Sequence, residues 1–178
     1  MSRDERKQSM NRRPDPTERA QTAEAYFEQG YNCTQSILLT FSDLMGEDAG
    51  AVLRAGVTLG GGMGRLREVC GAVSGMFLVL GTLYGYETTG TGKLKTELYA
   101  RVQETAESFE KSYGTLICRD LLGLPAGHDT PEATPRTAEF YQNRPCGKII
   151  GTAAAILAEY ILKHPPEEKI DKQRKESI

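Results

Sequence analysis

The 178-residue chain has only four cysteines, and no two of them form a C-x-x-C pair. Zinc ribbons, ferredoxin loops, thioredoxin motifs and c-type haem attachment all depend on such close spacing, so none of them is present. Excess charge is also missing. Lys and Arg number 22 against 24 Asp and Glu, for a net charge of -2, and no basic block stands out. That balance argues against nucleic acid and anionic membrane as partners. The opening stretch MSRDERKQSMNRRPDPTER holds no apolar run and so no signal-peptide core. The one long uncharged run spans the 18 residues from Val69 to Tyr86. Four glycines, Ser74, Thr82 and the tyrosines interrupt it, and no strongly basic flank orients it. It reads as a buried core helix rather than a membrane span. With no export signal, the expected location is the cytoplasm, where thiols stay reduced and two structural disulfides are not expected.

What is present is mostly helix signal. The length suits one domain with its own core. Asp15, Pro16 and Glu18 predict a helix start, and Gly30 a stop. Asn32 caps a second run, CTQSILLTFSDLM, with Ile37, Leu38, Phe41 and Met45 at helical spacing. A third helix is predicted over about 48–59 and a central one over 67–85. In the central helix Gly71 and Gly75, then Gly81 and Gly85, sit four apart and invite close packing, at about 0.5–1 kcal/mol of backbone entropy each. Lys93 to Tyr113 reads as a longer amphipathic helix with Leu94, Leu98, Val102, Ala106 and Phe109 on one stripe. Thr115 caps a short helix to Gly123, and a polar, proline-containing linker, LPAGHDTPEATPRT, follows. After a brief helical segment over 138–141, Pro145 opens a last helix to about Lys163. The expectation is an all-α, compact bundle of six to eight helices, without repeats or low-complexity segments. Residues 1–14 read as a disordered charged arm, 15–163 as a single domain, and 164–178, which open on His164, Pro165 and Pro166, as a charged flexible tail.

The densest glycine cluster, Gly60 to Gly64 with Met63 between, precedes Cys70. A phosphate-binding P-loop would need Lys-Ser or Lys-Thr after the glycines, and none follows. The dinucleotide fingerprint fails as well, because its sixth position falls on Arg65 or Arg67 and no βαβ pattern hosts it. A generic anion site helped by those two arginines stays open. His128 and His164 read as solvated, and Glu68 and Asp120, near cysteines, as ordinary surface charges. No Ser-His-Asp set or carboxylate pair is found.

Cys33, Cys70, Cys118 and Cys146 lie 37, 48 and 28 residues apart, so any site that uses them must be assembled by the fold. Each is predicted in or near the first turn of a helix. There free backbone N–H groups and the positive end of the dipole favour a thiolate. Four such ends converging would make an electropositive pocket for a thiolate-bound centre. Four cysteines that simply pack as small buried hydrophobes are the alternative.

GYNCTQSIL, GGGMGRLREVCGAVSG, CRDLLG and RPCGKII together resemble the redox-active family C_GCAxxG_C_C. Its CGAxxG block reads here as Cys70, Gly71, Ala72, Val73, Ser74 and Gly75, and the resemblance covers about residues 20 to 160. That family is similar to the iron–sulfur part of split-Soret cytochrome c. The resemblance implies that Cys33, Cys70, Cys118 and Cys146 ligate an iron–sulfur cluster, its type unspecified, for electron transfer or redox sensing with an unidentified redox partner protein. Gly71, Ala72 and Gly75 would then form a dry shell against the cofactor. Haem is not carried over, since C-x-x-C-H is missing. Two other readings use the same cysteines: a thiol–disulfide protein and a structural zinc site in an interaction module. A cluster would be prone to loss in an aerobic preparation. Gly147, Gly151 and Ala155, four apart, suggest tight helix contacts, and a homodimer is one arrangement that would supply them.

Overall fold

Asp15 caps the first helix with its side chain, accepting from Glu18 N–H at 2.8 Å, and Pro16 occupies the first position of α1 (Pro16–Glu28). The computed structural model describes residues 14–87, 89 and 91–166, and within these it contains helices and no strand. Residues 1–13 and 167–178, which hold nearly all of the expected charged arm and tail, lie outside the described residues.

Asn32 caps α2 (Cys33–Thr40) through a reciprocal box with Gln35, so the position of Cys33 follows directly from a local signal. The predicted run to Met45 breaks at Phe41. There Arg19 of α1 donates to the Thr40 carbonyl and grips Asp43 with both terminal nitrogens, at 2.8 and 2.7 Å. The chain resumes as the single turn α3 (Ser42–Met45) and a 3-10 turn, Gly46–Asp48. The expected third helix likewise divides into α4 (Ala49–Gly56) and a 3-10 turn, Val57–Leu59.

The glycine cluster forms the four-residue α5 (Gly60–Met63), in which Gly61 and Gly62 take φ values of 66° and 67°. The central helix, α6 (Gly71–Tyr84), starts four residues later than its pattern predicts. Arg65 and Arg67 have φ of 70° and 62°, outside the right-handed helix. Val69 then forms a short antiparallel bridge with Ile117, with Cys70 N–H donating to Leu116 at 2.8 Å and Cys118 N–H to Glu68 at 2.6 Å. Two cysteine segments 48 residues apart are thereby stitched side by side.

The remaining helices are α7 (Gly92–Tyr113), α8 (Cys118–Leu121), α9 (Ala138–Asn143) and α10 (Cys146–Lys163). Six helices reach eight residues or more among the described residues, in keeping with the expected bundle. α10 lies along α1 and α2 along α6, with α7 against α6 and α10. Fully buried Ile37, Leu38, Phe41, Val73, Met76, Leu80, Ile150 and Leu157 fill the space between them. Burying one such side chain contributes about 1.5–3 kcal/mol. A Cβ on Gly75 would stand 2.8 Å from Ile37 Cβ, so that glycine sets the α2–α6 approach. Gly151 faces Glu24, and a Cβ on Gly147 would meet Phe27 at 3.9 Å, so these positions of the small-residue face look onto α1 of the same chain. The apolar stripe of α7 is buried toward its end and open at its start: Phe109 is buried, Leu98 half-buried and Leu94 exposed. No described helix is long and apolar enough to cross a membrane.

Candidate four-cysteine site

All four cysteines occupy helix beginnings. Cys33, Cys118 and Cys146 are the first residues of α2, α8 and α10, and Cys70 is the capping residue of α6. Three different devices place them: the Asn32 box for Cys33, the Val69–Ile117 bridge for Cys70 and Cys118, and Pro145 for Cys146. Thr115, the expected cap, accepts from Ile117 N–H at 3.1 Å and donates to Asp120 at 3.2 Å, one turn before α8.

The four side chains line one cavity together with Leu121, Leu122, Ile149 and Ile150. Its volume of about 10 Å³ is room for roughly one water. Cys70 and Cys118 are buried, Cys33 and Cys146 partly so, and all four are free thiols. As they stand, no three His, Cys, Asp or Glu side chains among the described residues are disposed to hold a single metal ion. The donor set and its aliphatic walls nevertheless suit a thiolate-ligated group, for which the cavity would have to widen.

The thiols are inequivalent. A hydrogen bond with Cys146, then burial and the other cysteines, hold Cys33 well above the ordinary thiol range. The same bond lowers Cys146 to about 7 against its burial, helped by the positive charge of Arg144 and Arg136. Arg136 lies over the Phe27 and Phe140 rings at 4.7 and 4.6 Å, and Arg144 over Phe140 at 5.1 Å, which fixes both cations near the start of α10. Burial pushes Cys70 up to about 12, although the backbone N–H groups of Ala72 and Val73 favour its thiolate. Burial raises Cys118 as well, opposed by Arg67.

Arg67 is the residue whose role the sequence conceals. It is 3% exposed, and its Nη1 lies 3.8 Å from Cys118 Sγ. Its Nε donates to Asp129 Oδ2 at 2.8 Å, and Nη2 reaches the same oxygen. Asp129 belongs to the segment that reads as a polar linker, yet this segment docks on the glycine loop. Arg65 donates to the Thr130 carbonyl at 2.7 Å, to Thr134 at 2.9 Å and to Asp129 at 3.1 Å. The two arginines of the open anion-site reading are thus engaged by Asp129. The crowded glycines were visible as a cue, and Gly62 accounts for them best: a Cβ there would meet Cys118 Cβ at 2.5 Å.

The other predicted residues are spread around this centre. Gly71 backs onto Thr34 and Cys33, with a hypothetical Cβ 2.9 Å from Thr34 Oγ1 and 3.1 Å from Cys33 Cβ. Ala72 is fully buried and offers its amide to Cys70, while Gly75 packs on Ile37. Ser74, one turn after Cys70 on the same helix, has a buried hydroxyl with no partner among the described residues. Glu68 pairs with Arg119 across the bridge between the two cysteine segments. His128 is exposed, and His164 stacks on Tyr160 at 4.6 Å, remote from the cysteines in both sequence and contacts.

An all-α fold that turns four cysteine-bearing helix ends onto one aliphatic cavity, with arginines around it, defines a thiol-centred class of protein suited to redox chemistry. The chain belongs to the family described as "Putative redox-active protein (C_GCAxxG_C_C)", which matches residues 31–160 and so includes all four cysteines. No curated protein and no solved structure matches it.

Proposed function

We propose that this protein holds an iron–sulfur cluster through Cys33, Cys70, Cys118 and Cys146 and serves in electron transfer or redox sensing. The observation that carries the reading is the convergence of all four cysteines, from segments spread over the chain, on one aliphatic cavity. Cysteine thiolates are the usual ligands of such clusters, and hydrogen bonds to sulfur, burial and local charge set the potential. The amides of Ala72 and Val73 at Cys70 and the Arg67 guanidinium at Cys118 fit those roles. When bound, the cluster supplies reversible electron uptake. The chain's own part is to present four sulfurs, exclude water with Leu121, Leu122, Ile149 and Ile150, and offset the negative charge of the thiolates. Free thiols accord with a reducing cytoplasmic location, where an unidentified redox partner protein would exchange the electron.

A second reading, a thiol–disulfide protein, draws on the Cys33–Cys146 contact. Cys146, lowered to about 7, is the attacking thiolate and Cys33 the resolving thiol. An external disulfide would leave as two thiols while Cys33 and Cys146 become bridged. Structural zinc would use the same donors without redox change.

Anaerobic purification followed by an absorption spectrum and assays of iron, acid-labile sulfide and zinc separates these readings. The expected result is brown protein with matching iron and sulfide, lost in Cys70→Ser. Colourless protein without iron overturns the cluster reading. Its zinc content and a Cys33–Cys146 disulfide formed on mild oxidation then divide the other two.

A further inference from the structure

A buried arginine is costly unless its charge has a purpose or a partner. Arg67 has a partner in Asp129, but Asp129 is shared: Arg65 and Arg67 both pair with the same carboxylate oxygen. Two guanidinium groups against one carboxylate leave one positive charge, and the buried member of the pair is the one directed at Cys118 Sγ. Arg65 alone already ties the 124–137 segment to the glycine loop through Thr130, Thr134 and Asp129, so anchoring that segment does not require Arg67. The backbone also bears a cost to aim this side chain inward. Arg67 has φ of 62°, a conformation that a side chain other than glycine adopts at about 1–2 kcal/mol. Asp129 then fixes the guanidinium by accepting from both Nε and Nη2.

We propose that Arg67 is the fixed counter-charge of the four-cysteine site, acting on the Cys118 sulfur, and that Asp129 is the positioning residue that holds it there. The effect on redox potential rests on the cluster reading. The contact with Cys118 does not, because the guanidinium lies at the sulfur in the metal-free chain. A positive charge beside the sulfur favours the form of the site that carries the additional electron.

The test has a loaded and a metal-free arm. In a dithionite titration of anaerobically purified protein, with dithionite as electron donor, Arg67→Gln shifts the ratio of reduced to oxidised site about tenfold toward oxidised at a given potential. That is 59 mV downward for one electron. Arg67→Lys, which keeps the charge, stays within about threefold of wild type, a pattern that loss of packing alone would not give. Equal potentials for wild type and Arg67→Gln overturn the proposal.

The metal-free arm reads the same contact at Cys118 itself. In Arg67→Gln, iodoacetamide alkylates Cys118 about tenfold more slowly than in the wild type, read by peptide mass spectrometry, while Arg67→Lys stays within about threefold and an unchanged Cys70 rate shows that the fold is kept. An unchanged Cys118 rate in Arg67→Gln overturns the proposal. If the wild type holds no iron, the cluster reading fails while this arm still decides on Arg67.

Discussion

Cys33 and Cys146 are close enough to share a hydrogen bond, and the bond divides them into unlike thiols. Cys146 titrates at about 7, below an ordinary thiol, so its thiolate is present above that pH and lost below it. Cys70, at about 12, stays protonated through the neutral range. In the metal-free protein, alkylation of Cys146 therefore rises through pH 7 and levels off by pH 9, while Cys70 stays slow throughout. Peptide mass spectrometry after timed iodoacetamide treatment at several pH values checks this. Parallel rises of the two residues above pH 9 would contradict it. The sequence offers no hint of this pairing, since the partners lie 113 positions apart and the bond exists only once α2 and α10 are docked. Arg67 is hidden for a similar reason. Its left-handed backbone and its ion pair with Asp129, 62 residues on, leave no local periodicity to read.

At the scale of elements, helix starts were the most legible feature. Asp15, Asn32 and Pro145 each carry a local capping or first-turn chemistry, and the structure begins helices where those residues predict. The segment before α6 was not legible: an apolar run extends smoothly from Val69, and nothing local announces that the first residues pair with Ile117 instead of coiling. The glycine loop drew notice by composition, but which glycine is crowded depends on Cys118, which arrives much later in the chain. A contrast between two glycines tests that crowding. Gly114 has φ of 74° with nothing near a hypothetical Cβ, so Gly114→Ala should cost only the backbone term, about 1 kcal/mol. Gly62, with φ of 67°, adds the collision with Cys118 Cβ, and Gly62→Ala should cost about 3 kcal/mol. Urea unfolding of the metal-free proteins compares them. Equal costs would remove Gly62 from the account of how Cys118 is placed.

Across the whole molecule, the core and the site are built by different means. The pairing of α1 with α10 and α2 with α6 rests on aliphatic burial that periodicity could forecast, and it forms the frame that carries the helix starts. The site rests on the places where those helices begin and on loops from distant parts of the chain, so the sequence shows four cysteines near helix starts but neither their convergence on one cavity nor the contacts that support them. The family match over residues 31–160 covers both frame and site. If the four cysteines act as one set, loss of any one sulfur disrupts what the set holds. The most direct measurement is native mass spectrometry, under anaerobic conditions, of the wild type and the four single variants Cys33→Ser, Cys70→Ser, Cys118→Ser and Cys146→Ser. The expected result is an added mass of iron and sulfide on the wild type that is lost or broken down in every variant. A wild type of bare polypeptide mass, or an added mass retained intact by any of the four variants, would contradict it.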